Sequence, residues 1–489
     1  MLSSMRLALP CLWLAVCACS NDVEGAGGLE LPAVPQTLEL PAEPPSPPPF
    51  DVLLVSIDTL RADHLGTYGY ARPTSPNIDA LAQESVVFEH AYSQSPKTAT
   101  SHMTILTGLF PEAHGVLNGR DVGMVRLSDQ IPTLATLLRR AGYRTEGYTG
   151  GGNMRAEFGF DQGFDVFEVS KEQKSSFARA KAALERLVTA EGGPPFFLFA
   201  HTYRVHDPYV SPKEYRARFC DPQYAGDIIS SREDLIAAGG EDFEDRHGVF
   251  WESVDLKDPA DMRHLVDLYD AGIRSADEML GELFALLRAS PRERRTLIVI
   301  LSDHGEEFGE HGKVLHSSVY HEVLAVPLIV RLPTDHPLGK RSSRVPDVVR
   351  MVDVTPTMLD LLGLALPAYM QGSSLRPLIE GQEEQGERFV VSQFLSAQLH
   401  GLRAGEWKYV RKKKLEELYD LASDPSEMHN LADSRAEKLA FMREQLERVR
   451  KHSRQLARLA GGAQQVEMND DMRRELQGLG YLGHDKEEQ

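Results

Sequence analysis

The chain has 489 residues, is 42% hydrophobic and carries a formal net charge of −19, so it can bury one large core or two unequal ones. An acidic balance with no basic block or repeat excludes nucleic acid as a partner and excludes a long electrostatic contact with anionic lipid. Of the four Cys, Cys11, Cys17 and Cys19 lie in the first twenty residues and only Cys220 in the body, so the fold must be stable without disulfides.

In chain order, "LALPCLWLAVCA" is an apolar core of signal-peptide length, preceded by Arg6 and too short to span a bilayer. It runs into "VCACSND", which resembles a bacterial lipobox, with Val16 and Ala18 framing Cys19. Lipidation of Cys19 would make the protein an exported, membrane-anchored lipoprotein, periplasmic or on the cell surface; a plain secretory signal is the alternative. The expected units are a signal with lipobox over 1–19, a Pro-rich spacer over 20–50, a catalytic domain over 51–385 and a C-terminal subdomain over 386–489. The spacer composition predicts a semi-extended segment that holds the body off the membrane.

The body opens with "DVLLVSID", a continuous apolar run ending in a polar residue, as in a strand buried on both faces. The same grammar recurs at "PPFFLFAHT", "TLIVILSDHGE" and "VPLIVRLP", with helical patterns such as "PTLATLLRRAGY" and "DEMLGELFALLRAS" between them. This alternation predicts an α/β fold with a large, mostly parallel central sheet flanked by helices. After about residue 385 come short strand patterns and one amphipathic helix pattern over "SRAEKLAFMREQLERVRKHSRQLARL", which predict a smaller α+β subdomain. The basic run "RKKK" reads as a solvated hairpin turn.

In a parallel sheet, ligands collect at the carboxyl ends of the strands. Asp58, His201, Asp303 and His304 all fall at such ends and should converge on one edge. Asp58, Asp303 and His304 are oxygen and imidazole ligands that suit a divalent cation such as calcium, manganese, magnesium or zinc. "TATSHMTILTG" reads as a helix start capped by Thr98 or Ser101, and a helix N-terminus favours an anion. A cation-bound hydroxyl there could attack phosphorus or sulfur in line. Simple capping fits the same spacing.

With these segments the chain resembles the sulfatase family of the alkaline phosphatase superfamily. The resemblance covers nearly everything after the spacer, including "VSIDTLRADHLGTYGYARPTSPNIDALAQESVVFEHAYS", "LTGLFPEAHGV", "LSDHGEEFGEHG", "VYHEVLAVPLIV", "DVTPTMLDLLG" and "ELYDLASDPSEMHNLA". Sulfatases carry C/S-x-P-S-R followed by Thr-Gly, and the Cys or Ser becomes formylglycine. Aligned on Thr107-Gly108, that register implies Thr98 as nucleophile and fourth metal-site residue, in preference to Ser101 or Ser95. It puts Thr100 at the Pro position and His102 at the Arg position. Thr is no formylglycine precursor, so none is expected; relatives in the superfamily use an unmodified Thr on phosphorus esters.

Other positions depart from the pattern too. The family's Asp pair is Asp58-Thr59 here, and its Gly-Lys-Trp-His segment falls near "GYTGGGNM", leaving Asn153, with His102, as candidate substrate contacts. The Lys that often follows the later His-Gly is matched by His316 better than by Lys313. The resemblance makes His206, in "VHDPY", a site His that acts on the leaving oxygen or a non-bridging one, with His316 as proton donor or second-metal ligand. His311 with Glu310 orders a loop, Arg61 and Asp63 brace the Asp58 loop, and Cys220 is inert.

The implied function is metal-dependent hydrolysis of a sulfate, phosphate or phosphonate ester by in-line attack of Thr98 through a covalent intermediate. The substrate is a small-molecule, glycan or lipid ester. The alternatives are a phosphodiesterase or phospho-group transferase proper, or a non-catalytic module that binds sulfated or phosphorylated glycans.

Overall fold

The computed structural model describes residues 31–117, 123–170, 173–190, 192–239, 243–383, 386, 388–470, 472, 473 and 476. The expected signal segment, Cys19 and the first part of the spacer lie outside these residues.

Eight strands form the main sheet. They are β1 (Asp51–Ile57), β2 (Val86–Tyr92), β3 (Arg144–Thr149), β4 (Val166–Val169), β5 (Phe196–Thr202), β6 (Thr296–Leu301), β7 (Ala325–Arg331) and β8 (Ser343–Arg350). Their order is β8-β2-β7-β6-β1-β5-β3-β4. All pairings are parallel except those of β7, which runs antiparallel to both β2 and β6. The sheet is mostly parallel, as the apolar runs predict.

Those runs are continuous because both faces are covered. Val52 and Leu54 of β1 enter one apolar core with Phe197 and Phe199 of β5. Leu53, Val55 and Ile57 enter a second core with Phe196 and Leu198. Successive side chains alternate between the two layers. The second layer is dominated by the long helix α1 (Pro259–Arg288), which buries Leu265, Leu268, Tyr269, Leu280 and Leu287.

The C-terminal subdomain is an antiparallel sheet of four strands, β9 (Phe389–Phe394), β10 (Leu399–Ala404), β11 (Trp407–Lys412) and β12 (Leu415–Asp420), covered by α2 (Ala436–Leu459). Met442, Leu446 and Val449 of that helix meet Val391, Leu402, Tyr409 and Leu418. The "RKKK" run does form the hairpin turn between β11 and β12, with Lys413 at φ 55°.

Two boundaries differ from expectation. Residues 31–50 do not reach away from the body. Val34 and Leu38 pack on the main core, His452 Nε2 donates to the Pro32 carbonyl at 2.8 Å, and Glu43 pairs with Arg140 at 3.3 Å. Proline keeps this segment extended, but its interspersed apolar side chains bury themselves, so it is a strap. The tail also leaves its subdomain. Gln464–Gln465 pairs with Val125–Arg126 of the catalytic domain, and Met472 and Leu476 are buried in the main core.

Candidate active site

The carboxyl ends of β1, β5 and β6 lie side by side, which brings Asp58, His201, Asp303 and His304 together, all fully buried. Ligand atoms of Asp58, Asp303 and His304 lie within 4.8 Å of one another, the one such grouping found among the described residues. Asp58 Oδ1 and Asp303 Oδ2 are buried without hydrogen-bond partners. Burial first, and then the charge of Asp303, hold the Asp58 carboxyl well above the usual carboxylate range. Asp303 itself is held low, because His304, His102 and His201 outweigh its burial. His304 donates from Nδ1 to the Gly305 carbonyl at 3.0 Å, which makes Nε2 the lone-pair nitrogen, and burial draws the ring down to about 4. Two carboxylates with open oxygens and a neutral imidazole of fixed tautomer fit a divalent cation.

Thr98 meets this group from the helix α3 (Thr98–Thr107), which follows β2 in the chain. Its Oγ1 lies 3.4 Å from His304 Nε2. The N-cap position is held by Lys97, with no side-chain cap, so Thr98 is the first helical residue and does not cap. Ser101 is committed elsewhere: its Oγ donates to the Asp303 carbonyl at 2.7 Å. His102 is engaged as well. Nδ1 donates to the Thr98 carbonyl and Nε2 accepts from the Ser56 hydroxyl, each at 2.8 Å. The expected substrate contact at His102 is therefore a buried tie between α3 and β1.

Thr59 has a left-handed backbone, φ 57°, which any side chain adopts only under constraint. The constraint is the Tyr269 hydroxyl, which donates to the Thr59 carbonyl at 2.7 Å and accepts from the Arg61 N–H at 2.9 Å. Held this way, the Thr59 N–H donates to Asp303 Oδ1 at 3.3 Å. Arg61 is forked onto Asp63 and reaches Glu310 at 2.8 Å, a brace as predicted.

His206 and His316 complete the edge, their rings 5.5 Å apart, with His316 4.4 Å from the His304 ring. Burial acts to lower the His206 pKa, but the Asp207 carboxylate, 2.9 Å from Nδ1, and Asp58 raise it to about 9. Asp207 is in turn gripped by His247 and by the Trp251 N–H, each at 3.0 Å. His316 has the opposite character: burial first, and then Lys97, hold it well below the ordinary range. Its Nδ1 donates to the Pro96 carbonyl at 2.9 Å, leaving Nε2 as acceptor. Asn153 is buried on the loop after β3, its Oδ1 without a partner.

His311 stacks on Tyr320 at 3.8 Å, and Lys313 lies over the same ring, so both order the loop. Cys220 is half-buried, and burial pushes its thiol up to about 11. Three participants escaped the sequence reading. Lys97 lies against His316, Asp207 against His206, and Glu306 is fully buried beside Tyr209. Adjacency was the available signal: Lys97 precedes Thr98, Asp207 follows His206, and Glu306 is two residues past His304.

A family model described as Sulfatase matches residues 51–364, and one described as N-sulphoglucosamine sulphohydrolase, C-terminal, matches residues 309–452. The chain is similar to the Delta 4,5-hexuronate-2-O-sulfatase of Bacteroides thetaiotaomicron, 24% identical over 423 residues that cover 78% of this chain and 84% of that one. It is also similar to the choline-sulfatase of Rhizobium meliloti, 26% identical over 412 residues, covering 74% and 78%. In fold it matches the phosphonate monoester hydrolase of Agrobacterium radiobacter, with TM-score 0.66, 23% identity and coverage of 83% and 96%.

Proposed function

Because the chain belongs to the sulfatase family and is a hydrolase of sulfate or phosphate esters, we propose that it works without formylglycine, by direct attack of the Thr98 hydroxyl. The observation that carries this reading is the placement of Thr98 Oγ1, 3.4 Å from His304 Nε2, beside carboxylate oxygens with no partner. Asp58, Asp303 and His304 would hold a divalent cation, which supplies a lowered pKa for a bound hydroxyl and charge for the ester's oxygens.

Thr98, having lost its proton to solvent, attacks in line and forms a covalent ester while the leaving oxygen departs on the far side. His206, its Nδ1 fixed by Asp207, gives its Nε2 proton to that oxygen. His316, with Nδ1 fixed by Pro96, takes at Nε2 the proton of the water that clears the Thr98 ester. Both Nδ1 atoms bond a backbone carbonyl, and the neighbouring charge, the Asp207 carboxylate beside His206 and the Lys97 ammonium beside His316, sets these two imidazoles apart as acid and base. The N-terminus of α3 faces the equatorial oxygens. The substrate is a small-molecule or glycan ester, and the lipobox-like "VCACSND" supports an exported protein tethered through Cys19.

The test is turnover of a bis-aryl phosphate and the matching aryl sulfate by the full-length protein with manganese, zinc or calcium. Activity that disappears in Thr98→Ala, with a trapped phosphoryl or sulfuryl group on Thr98 in wild type, is the expected result. Activity that survives in Thr98→Ala would assign the attack to another group.

A further inference from the structure

Between β5 and α1 the chain carries a helix, α4 (Phe243–Glu252), that no step of the mechanism uses. Its seat comes from Phe250, which is fully buried in the second core and meets the Tyr209 ring at 5.7 Å. His247 and Trp251 are four positions apart, so both project from one face of α4. That face meets a single carboxylate. His247 Nε2 and Trp251 Nε1 each lie 3.0 Å from Asp207 Oδ2, and both donate, since a carboxylate only accepts.

The other side of Asp207 faces His206. Its Oδ1 lies 2.9 Å from His206 Nδ1, and its main-chain carbonyl accepts from the same Nδ1 at 2.8 Å. The carbonyl fixes the tautomer, and the carboxylate stabilises the imidazolium. Asp207 is fully buried, and a buried carboxylate keeps its charge only where donors meet it. Burial acts to raise its pKa, but His247 and then His206 hold it well below the ordinary range. The two donors that α4 places on Oδ2 therefore decide where Oδ1 stands. The His247 side chain is 22% exposed, so it can be changed without opening the core.

We propose that His247 and Trp251 are positioning residues for the leaving-group acid: by gripping Asp207 Oδ2 they aim Oδ1 at His206, which delivers its Nε2 proton to the departing oxygen; this rests on the acid role given to His206 above. A poor leaving group needs that proton in the transition state, and a good one does not. Losing the grip therefore lowers turnover in step with leaving-group basicity and leaves substrate binding alone. If Asp207 served only to satisfy the Trp251 N–H and seat the helix, losing the contact would cost stability and touch all substrates alike.

The experiment uses the full-length, manganese-loaded protein as wild type, His247→Phe, His247→Gln, Trp251→Phe, His206→Gln and the double variant His206→Gln with His247→Phe. It reads kcat and KM for aryl phosphodiesters and aryl sulfates of graded leaving-group pKa, with denaturant unfolding of each protein. Trp251→Phe keeps a ring against Tyr209, now 6.3 Å away, and removes the N–H. His247→Phe and Trp251→Phe are each expected to lower kcat by about 10-fold on the poorest leaving groups, with little loss on the best and KM unchanged. His247→Gln, whose amide N–H replaces the one on Nε2, recovers most of that loss. In the His206→Gln background, His247→Phe adds no further loss. A loss equal across leaving groups, or one that persists in the His206→Gln background, overturns the proposal and leaves α4 a structural element. Phe variants at 247 and 251 that both match wild type overturn it too, with the Thr98 mechanism standing. A His206→Gln protein whose loss does not depend on the leaving group, or a wild type with no turnover, overturns the acid role of His206 and this proposal together.

Discussion

His102 donates from Nδ1 to the carbonyl of Thr98, one turn below it on the same helix, and accepts at Nε2 from Ser56 on β1. One imidazole thus joins the first residue of α3 to the strand that leads into Asp58. Its environment is fully buried, and burial keeps the ring neutral by drawing its pKa down.

His102→Phe should therefore behave as a structural lesion near the nucleophile. The Ser56 hydroxyl would be left buried and unpaired, at about 1–3 kcal/mol, with the lost bond to Thr98 adding about 1 kcal/mol. Denaturant unfolding should show that loss, and kcat should fall with it as Thr98 shifts. Full stability with a raised KM alone would mean the ring contacts substrate instead.

The Asp58 and Asp303 carboxyls face each other in a buried site and resist ionising together. A bound cation removes that penalty. Chelation should lower the unfolding free energy of wild type by about 3 kcal/mol when metal had been present at a hundredfold excess over its Kd. Asp58→Asn should show almost no response to chelation, and without metal it should be at least as stable as metal-free wild type. Thermal scans with and without chelator check both; an equal chelation shift in the two proteins would remove Asp58 from the ligand set.

The architecture was legible where burial on two faces leaves an unbroken apolar run, as in β1, β5, β6 and β7. β2, with Glu89 and His90 inside it, and β3, with Arg144 and Glu146, carry no such run and gave no signal. At the site, residues that end strands were visible because a parallel sheet dictates where they go. Lys97 was not, since its importance comes from His316, which lies 219 positions downstream. The strap was misjudged because composition reports the stiffness of a Pro-rich segment and not the surface its few apolar side chains find.

His114, the last residue of the one-turn helix Pro111–His114 that follows α3, gives a pH test that stands apart from the Asp58, Asp303 and His304 grouping. The Val116 N–H donates to its Nδ1 at 3.1 Å, so Nε2 carries the proton and donates to Thr104 Oγ1 at 3.1 Å. Burial holds its pKa down to about 3. The unfolded chain takes up a proton near pH 6.5 and the folded one does not, so stability falls as pH drops below 6.5 and continues to fall towards 3. The cost is about 1.4 kcal/mol per pH unit, or about 2 kcal/mol at pH 5. His114→Gln should be less stable than wild type at pH 7.5, through its lost hydrogen bonds, and should close that gap at pH 5. Unfolding curves across this range decide it; a constant gap would show that the ring is protonated in the fold.

The docked strap limits where the body can stand if Cys19 is lipidated. Residues 20–30 are the eleven positions between Cys19 and Leu31, where the described strap begins. At full extension they span at most about 40 Å. Residues 31–50 add no reach, because His452, Arg140 and the main core hold them. Cys19→Ser should move the protein from the membrane fraction to the soluble one with turnover unchanged. Deleting 31–50 should instead strip Val34, Leu38 and Phe50 from the core and destabilise the fold by about 4 kcal/mol. Fractionation, with mass analysis of the N-terminal peptide for acyl groups, checks the anchor. A Cys19→Ser protein that stays in the membrane would put the attachment elsewhere, and a deletion as stable as wild type would return the strap to the role of a free spacer.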